Sequence, residues 1–556
     1  MPIDIDAGSP SVPPNAGTRT LSIIITNTLR FLSCNPSVKS AFRVMSESTN
    51  SSIFVLLDGK EAYLRITEDC LVLQYAHEDE PRQCKTFQIC PPSICICRSK
   101  KRTRPRAVML RDILWAEASN GTLEINYAKH TSKTEVAPAT RKYQLMFDNQ
   151  SGAQMWIEQL LEASYGKSLQ RKRLKVLINP FSGPGNANTV WKIHANPLFL
   201  AAHVTLSITH TKYREHAITI AEELDIDAYD AIVCVSGDGL PHEVFNGLAK
   251  RKDARKALKV PVVLLPGGSG NGMTMSTFGT PTVSHAALAM IKGIYTPIDL
   301  CSVTQGSKRT LSFLTQSFGI IADCDLGTEG LRWAGGQRFV MGLVQRVLGL
   351  KVYPCDVAVK IIDSDKDTIK RKIKYDVRKQ FNTKEDGDAT EGIPDLAFGT
   401  VQDPVPSDWT VVKYEDLTNF YAGKCPWVSM DSCFFPAAIT DDGLLDLVIV
   451  RAPKSHQSSV SADGSHSALL PPPAGRWQSI KYLTATEEGG KHFNMDCVSY
   501  LKVAGFRLTP RKREGYVSID GEPILHEAFQ VEVHQALGAT LTVDGKFYQG
   551  HSQTWP

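Results

Sequence analysis

Between residues 52 and 166 the chain alternates short apolar runs with Gly, Asn and charged breaks: IFVLL, AYLRI, LVLQYA, VMLRDILWAEA, TLEINYA and KYQLMF. This pattern predicts a series of short strands, and the helical spacing of GAQMWIEQLLEASYG predicts one amphipathic helix closing the series. From RKRLKVLINP onward strands alternate with helices, as in a parallel sheet covered by helices on both faces, and this regime runs to about Leu300. Beyond it β-like segments return (LSFLTQSFGIIA, DVAVKIID, WVSM, LLDLVIV, FRLTP, GYVSID, FQVEVH, ATLTVDG). Two stretches among them, 363–407 and 455–475, are expected to be flexible insertions, and the Pro-, Gly- and Ser-rich residues 1–22 to be disordered. No internal repeat is evident. The expected fold class is α/β plus β: an N-terminal β module over 40–168, an α/β domain with a parallel sheet over 171–300, and an antiparallel β-sandwich over 301–556.

Composition narrows this picture little. The 556 residues are 42% hydrophobic and 22% charged with a formal net charge of +4, so overall charge gives no reason to expect a nucleic-acid partner. No apolar run approaches the ~18–20 residues that span a bilayer, and the N-terminus lacks the regions of a signal peptide, so a cytoplasmic protein is expected. The 13 cysteines show no paired framework. Cys95 and Cys97 stand apart, because in ICICRSKKRTRPR (94–106) they adjoin six Lys/Arg residues.

Three apolar strands each run directly into a glycine loop: KVLINPFSGPGNA, AIVCVSGDGLPHEV and VVLLPGGSGNGM. Any one of these is an ordinary strand-to-helix turn. Three within about 90 residues point to phosphate, because glycine lets backbone N–H groups approach oxygens that a Cβ would block. Familiar alternatives fail: the GKS at 166–168 has Leu161 where a Walker loop needs glycine, no HRD or DFG set exists, and Asn246 stands where a zinc helix beginning His242-Glu243 needs its second histidine.

These loops, with TKYREHA (211–217), GIIADCDLGTEGLRWAGGQRF (319–339), DGLLDLVIV (442–450) and SIDGEPI (518–524), resemble in order the lipid kinases of the diacylglycerol-kinase/sphingosine-kinase superfamily, most closely the fungal-type sphingoid long-chain-base kinases. The resemblance covers roughly 370 residues. It implies a nucleotide-binding α/β domain followed by an antiparallel β domain, with ATP and Mg²⁺ as cofactors and the primary hydroxyl of a sphingoid base as acceptor. Ceramide or diacylglycerol kinase, and a non-catalytic lipid-binding protein on the same fold, remain the alternatives.

The resemblance assigns Asp238 as the catalytic base. It assigns Asn179, Thr211, Ser236, Gly237, Gly239, Glu243 and the loop Gly267, Gly268, Ser269, Gly270 and Asn271 to the nucleotide, with Arg332 and Arg338 at its phosphates. Asp520, Gly521 and Glu522 fall on the Mg²⁺ and ribose side, either carboxylate being equally a solvated turn residue. Asp325, with Thr315, is assigned to the substrate, where a carboxylate matches the ammonium of a sphingoid base. Asn186 occupies a position where many members carry lysine. The apolar run RFVMGLVQRVLGL (338–350) is either a tail-pocket lining or core. The strands and closing helix before residue 168, which carries Trp156, resemble a pleckstrin-homology-like module. A peripheral membrane contact is expected at 94–106, with Cys95 and Cys97 as acylation candidates. Oligomeric state is not legible.

Overall fold

The computed structural model describes residues 52–76, 106–146, 150–183, 185–268, 270–327, 349, 351–376, 391–453, 459–460 and 467–550. The chain divides into two compact units, one of residues 1–109 and 143–160 and one of residues 110–142 and 161–556. Seven strands come first: β1 (Ser52–Leu57), β2 (Lys60–Ile66), β3 (Cys70–Tyr75), β4 (Arg106–Met109), β5 (Ile113–Ser119), β6 (Thr122–His130) and β7 (Val136–Leu145), followed by helix α1 (Gln150–Tyr165). In the first unit β4, β3, β2 and β1 are antiparallel neighbours in that order, and β1 also pairs with Gln144 and Leu145. Alternate residues Ala62 and Leu64 of β2, and Leu71 and Leu73 of β3, are buried, which is the period-two pattern of a sheet with one covered face. The second unit opens with the β5–β6 hairpin, turning on Asn120 and Gly121, both at positive φ as a tight hairpin turn requires.

Next comes a parallel sheet of β8 (Arg173–Ile178), β9 (Thr205–His210), β10 (Ala231–Ser236) and β11 (Val262–Pro266), in the order β11–β10–β8–β9. Every residue of β10 and β11 is buried, as expected of central strands covered on both faces. Helices α2 (His216–Glu222), α3 (Gly239–Ala249), α4 (Gly272–Phe278) and α5 (Val283–Lys292) connect and cover it. The chain reverses direction across the sheet between β8 and β10, which is where ligands settle in open α/β sheets.

The remaining strands form a twelve-stranded antiparallel sheet. They are β12 (Ile294–Gln305), β13 (Lys308–Ser312), β14 (Thr315–Gly319), β15 (Cys355–Asp363), β16 (Thr410–Tyr414), β17 (Leu417–Gly423), β18 (Leu445–Arg451), β19 (Ser459–Val460), β20 (Ser499–Pro510), β21 (Val517–Ile519), β22 (Glu522–Ile524) and β23 (Phe529–Thr542). Their order is β13–β12–β23–β20–β18–β17–β14–β21–β22, with β15, β16 and β19 branching from β20. These strands are joined in one hydrogen-bonded network, in which the long β20 serves β15, β18 and β23 along its length. The expected boundary at 300/301 falls inside β12, which already pairs with β23 from Ile294.

Three further expectations change. The segment LSFLTQSFGIIA is not strand throughout: β14 stops at Gly319, at φ 106°, and helix α6 (Ile320–Leu326) begins. The supposed insertion 363–407 holds helix α7 (Lys366–Asp376), anchored by buried Ile369 and Ile373 and by Lys366 Nζ donating to the carbonyls of Met495 and Val498. Its later part is tied down by Glu532, which accepts from the N–H groups of Ala397 and Phe398. Within 455–475, Val460 pairs with Val412, and Leu469 is fully buried. Low apolar content hid these segments, because a few anchors rather than a periodic face hold them.

The DGLLD stretch explains itself in the core. Buried Lys424 bonds Asp299 at 2.6 Å and Asp442, while buried Lys502 bonds Asp442 at 2.9 Å and Asp446 at 2.8 Å. Each buried charge therefore has a partner of opposite sign, the condition for tolerating it there. Helix α8 (Arg476–Glu487) precedes β20 and buries Tyr482 and Leu483.

Candidate active site

The three glycine loops meet at the carboxyl ends of β8, β10 and β11. Gly267 N–H donates to the Ser236 carbonyl at 2.8 Å, and the Ser182 hydroxyl both accepts from Gly237 N–H and bonds Ser236 Oγ. A Cβ on Gly268 would stand 2.4 Å from Gly237 Cα, so the loops approach closer than any side chain permits. Asn271, at φ 66°, closes the third loop: its amide Nδ2 donates to the Gly268 carbonyl at 2.8 Å and its Oδ1 accepts from Gly268 N–H at 3.2 Å. That side chain is spent on shaping the cradle. Ser269 lies outside the described residues.

Asp238 sits at the head of α3 with its carboxylate aimed across to α4. Oδ2 accepts from Gly272 N–H at 2.9 Å and Oδ1 from Met273 N–H at 3.0 Å. Burial pushes its carboxyl up, those N–H groups pull it down, and the nearby Asp520 charge pushes it up again, to about 6. The group is therefore poised to exchange a proton near neutral pH, which suits a general base.

The opposite wall belongs to the β domain. Asp520, at φ 52°, has a side chain with no exposure, and its oxygens accept from Ser312 Oγ at 2.6 Å, from the N–H groups of Phe313, Leu314 and Thr315, and face His242 Nδ1 at 2.8 Å. Five partners occupy the roughly four lone-pair positions of a carboxylate, leaving none for a metal. The expectation of Asp520 beside Mg²⁺ thus gives way to a structural one: it fixes the turn that follows β13 and receives α3. Asn246, one turn beyond His242, locks the same junction by donating to the Leu311 carbonyl and accepting Leu311 N–H. Glu522 is different. Its carboxylate is partly exposed, Oε2 bonds Arg214 at 3.0 Å, and Oε1 would stand 3.0 Å from a Cβ on Gly239. Among the described residues no group of three His, Cys, Asp or Glu side chains forms a metal cage.

Thr315, expected at the acceptor, is buried at the start of β14 and hydrogen-bonds the hydroxyl of buried Tyr421. Burial raises that phenol further above its ordinary range, and the charges of Asp325, Asp238 and Asp520 add to the rise. Asp325 Oδ2 lies 3.9 Å from where a Cβ on Gly521 would stand. Asp323, two residues earlier on α6, faces away: it is buried and accepts from Lys351 Nζ at 2.6 Å, Tyr353 Oη at 2.8 Å and Tyr516 N–H. Behind Tyr421 stand Phe434, at 5.0 Å between ring centroids, and Tyr482, at 6.2 Å from Phe434.

The residues expected at the nucleotide are placed variously. Asn179 Oδ1 accepts from Phe181 N–H, and Thr211 is buried at the end of β9. Glu243 Oε2 accepts from Ala217 N–H at 3.1 Å, so it caps α2 and acts on the cradle from behind. Exposed Asn186 makes no side-chain capping bond to the helical turn that follows. Arg332, Arg338, most of 338–350, Cys95 and Cys97 lie outside the described residues. From sequence, His242 and Asn246 figured only in the rejected zinc helix and Tyr421 was not marked; the spacing of the first two from Asp238 by whole helical turns was the signal available for their role here.

A family model described as the diacylglycerol kinase catalytic domain matches residues 173–303, and one described only as a domain of unknown function matches 54–166. The sphingoid long chain base kinase 4 of Schizosaccharomyces pombe is 32% identical over 438 residues, covering 78% of this chain and 88% of that one. Sphingosine kinase 1 of Homo sapiens is 29% identical over 377 residues, covering 65% and 88%. A crystal structure of a diacylglycerol kinase from Bacillus anthracis aligns with 67% of this chain and 97% of its own, at 18% identity and a TM-score of 0.42.

Proposed function

The chain belongs to the sphingoid long-chain-base kinases, and on that premise we propose that the cleft around Asp238 transfers the γ-phosphoryl group of ATP to the primary hydroxyl of a sphingoid base. The observation that supports the reading is that Asp325 Oδ2 lies beside Gly521, next to the Asp520 that ties α3, headed by Asp238, to the β domain. Asp238, its carboxyl raised to about 6, takes the proton of the attacking hydroxyl, and Asp325 neutralises the ammonium one carbon away. Ceramide and diacylglycerol carry no cation and leave Asp325 unmatched.

The glycine loops, lacking side chains, are proposed to let the phosphates approach the backbone closely, where positioning and charge neutralisation supply most of the acceleration. Arg332 and Arg338 are proposed to add guanidinium contacts there. Mg²⁺ fits a site with one available carboxylate, because it retains waters and is held chiefly by ATP itself; Glu522 is the residue proposed to hold it. When bound it would offset charge on the β- and γ-phosphates. Glu522 also holds Arg214, which keeps the α2 approach beside the cradle.

Among the described residues no helix is long and apolar enough to cross a membrane. Access to a bilayer substrate is therefore proposed to be peripheral, through the basic segment 94–106 of a pleckstrin-homology-like module, with Cys95 and Cys97 as acylation candidates. The test of the activity is phosphate transfer from labelled ATP to sphingosine, dihydrosphingosine, phytosphingosine, ceramide and diacylglycerol, with Asp238→Asn as control. Transfer to ceramide or diacylglycerol but to no sphingoid base would overturn the substrate assignment, and turnover by folded Asp238→Asn near the wild-type rate would overturn the role of Asp238.

A further inference from the structure

The strands that carry Thr315 and Tyr421 also bury polar groups that an alkyl tail does not need. Strands β14 and β17 are antiparallel, with Ser317 opposite Tyr421 and Gly319 opposite Asn419. Residues two apart share a face, so Thr315 and Ser317 of one strand lie on the same face as Asn419 and Tyr421 of the other. The Tyr421 hydroxyl bonds Thr315, whose N–H donates to Asp520, and Asp325 lies beside the next residue, Gly521, so this end is assigned to the head group. One same-face step along, Asn419 is fully buried. Its Nδ2 donates to the Tyr482 hydroxyl at 3.0 Å, and its Oδ1 has no partner.

An unpaired amide end in such a place is costly, and in a wall built from Phe434 and Tyr482 an apolar residue would serve a hydrocarbon chain better. We propose that Asn419 and Ser317 form a subsite for a third hydroxyl, so that the enzyme prefers a sphingoid base hydroxylated at C4 (phytosphingosine) over its 4-deoxy counterpart (dihydrosphingosine). This rests on the sphingoid-base reading of the same cleft. A hydroxyl both donates and accepts, so it satisfies the free end of Asn419 whichever way the amide is turned. The spacing fits as well: the O1-to-O4 span of an extended base is on the order of 5–6 Å, close to the ~7 Å between successive same-face residues of a strand. The 4-deoxy base places only methylene there and leaves the amide unpaired, which is how sites built to bond a hydroxyl reject analogues lacking it.

The experiment compares kcat/KM for the two bases, presented in the same detergent micelles, in wild type, Asn419→Val and Ser317→Ala. Wild type is expected to favour the 4-hydroxylated base by roughly tenfold, and Asn419→Val to bring the ratio to about one. The ratio is internal to each protein, so a partial loss of folded enzyme does not move it. If Asn419→Val does not fold, Ser317→Ala decides, with a fall of roughly threefold expected in the ratio. Equal use of both bases by wild type, or an undiminished ratio in the variants, overturns the subsite and leaves the kinase reading standing. Failure to phosphorylate either base overturns both.

Discussion

His242 Nδ1 stands 2.8 Å from Asp520 Oδ2, joining the helix that carries Asp238 to the buried turn of the β domain that also orients Thr315. Burial opposes the imidazolium, but the Asp520 carboxylate, with Glu522 and Glu243, outweighs it and raises the histidine above its ordinary value. A raised folded-state pKa means that the stabilisation is complete below the unfolded value of about 6.5 and is lost as pH climbs through the higher folded value. His242→Asn is therefore expected to lose about 2–3 kcal/mol of unfolding free energy at pH 6, since Asp520 keeps its other donors, and clearly less at pH 9. Urea unfolding of both proteins at the two pH values checks this. An equal deficit at both would mean that His242 acts as a neutral hydrogen-bonding group.

Asp238 has the opposite linkage. Its carboxyl is raised to about 6 against an ordinary value of 3.8, so the folded state disfavours the ion, and that burden grows as pH rises from about 4 to 6 and is constant above. At neutral pH it amounts to about 3 kcal/mol. Asp238→Asn removes it while turning an amino group toward Gly272 or Met273, a loss of about 1 kcal/mol. The ligand-free variant is expected to be about 1–2 kcal/mol more stable than wild type at pH 7.5 and to lose that advantage at pH 4, with kcat reduced about 10²–10⁴-fold. Denaturant titration and single-substrate kinetics measure both. Wild-type kcat/KM should fall on the acid side with a midpoint near 6. A variant destabilised at pH 7.5 would contradict the burial argument.

The elements legible in the sequence were those whose signal is local. β10 and β11 announced themselves by unbroken apolar runs, and the cradle by glycines directly after them. What stayed hidden depends on distant partners. Asp520 reads as a turn residue until Ser312, Leu314 and His242 converge on it from more than 200 residues away. Asn419 and Tyr421 lie in a strand that the pattern did not mark, and α8 brings Tyr482 to Asn419 from some sixty residues away. Helix α7 has only two buried apolar residues among its charges, too few to mark a periodic face. The GIIADC segment carries β-like isoleucines, but Gly319 at φ 106° turns the chain, because a Cβ there would stand 2.5 Å from the Thr418 carbonyl oxygen.

The cradle tolerates no side chain where the loops touch. A Cβ on Gly268 would stand 2.4 Å from Gly237 Cα, and one on Gly270 would stand 2.8 Å from Asp238 Oδ2. Gly268→Ala pushes backbone against backbone, and is expected to raise the KM for ATP at least tenfold and to cost about 1–3 kcal/mol of stability. Gly270→Ala pushes against the Asp238 carboxylate, the proposed base, and is expected to lower kcat more than it raises the KM for ATP. Steady-state kinetics with ATP varied at saturating lipid separates the two. The same kcat-to-KM split in both variants would show that the third loop acts as one unit.

Asp323 and Asp325 sit two residues apart on α6, a separation that places them on different sides of a helix. Asp323 is enclosed by Lys351, Tyr353 and Tyr516, so Asp323→Ala strands buried donors and is expected to destabilise the protein by about 3 kcal/mol or more. Asp325 Oδ2 instead lies beside Gly521, and the residue is proposed to meet the substrate. Asp325→Ala is expected to change stability by less than about 1 kcal/mol while raising the KM for a sphingoid base by one to two orders of magnitude, the worth of one charge-assisted contact. An N-acylated analogue, which has no ammonium, should be used no less well by Asp325→Ala than by wild type. Thermal unfolding together with KM values for the free and N-acylated base distinguishes the two aspartates. Equal loss of affinity for both lipids in Asp325→Ala would mean that this carboxylate shapes the pocket without reading the substrate's charge.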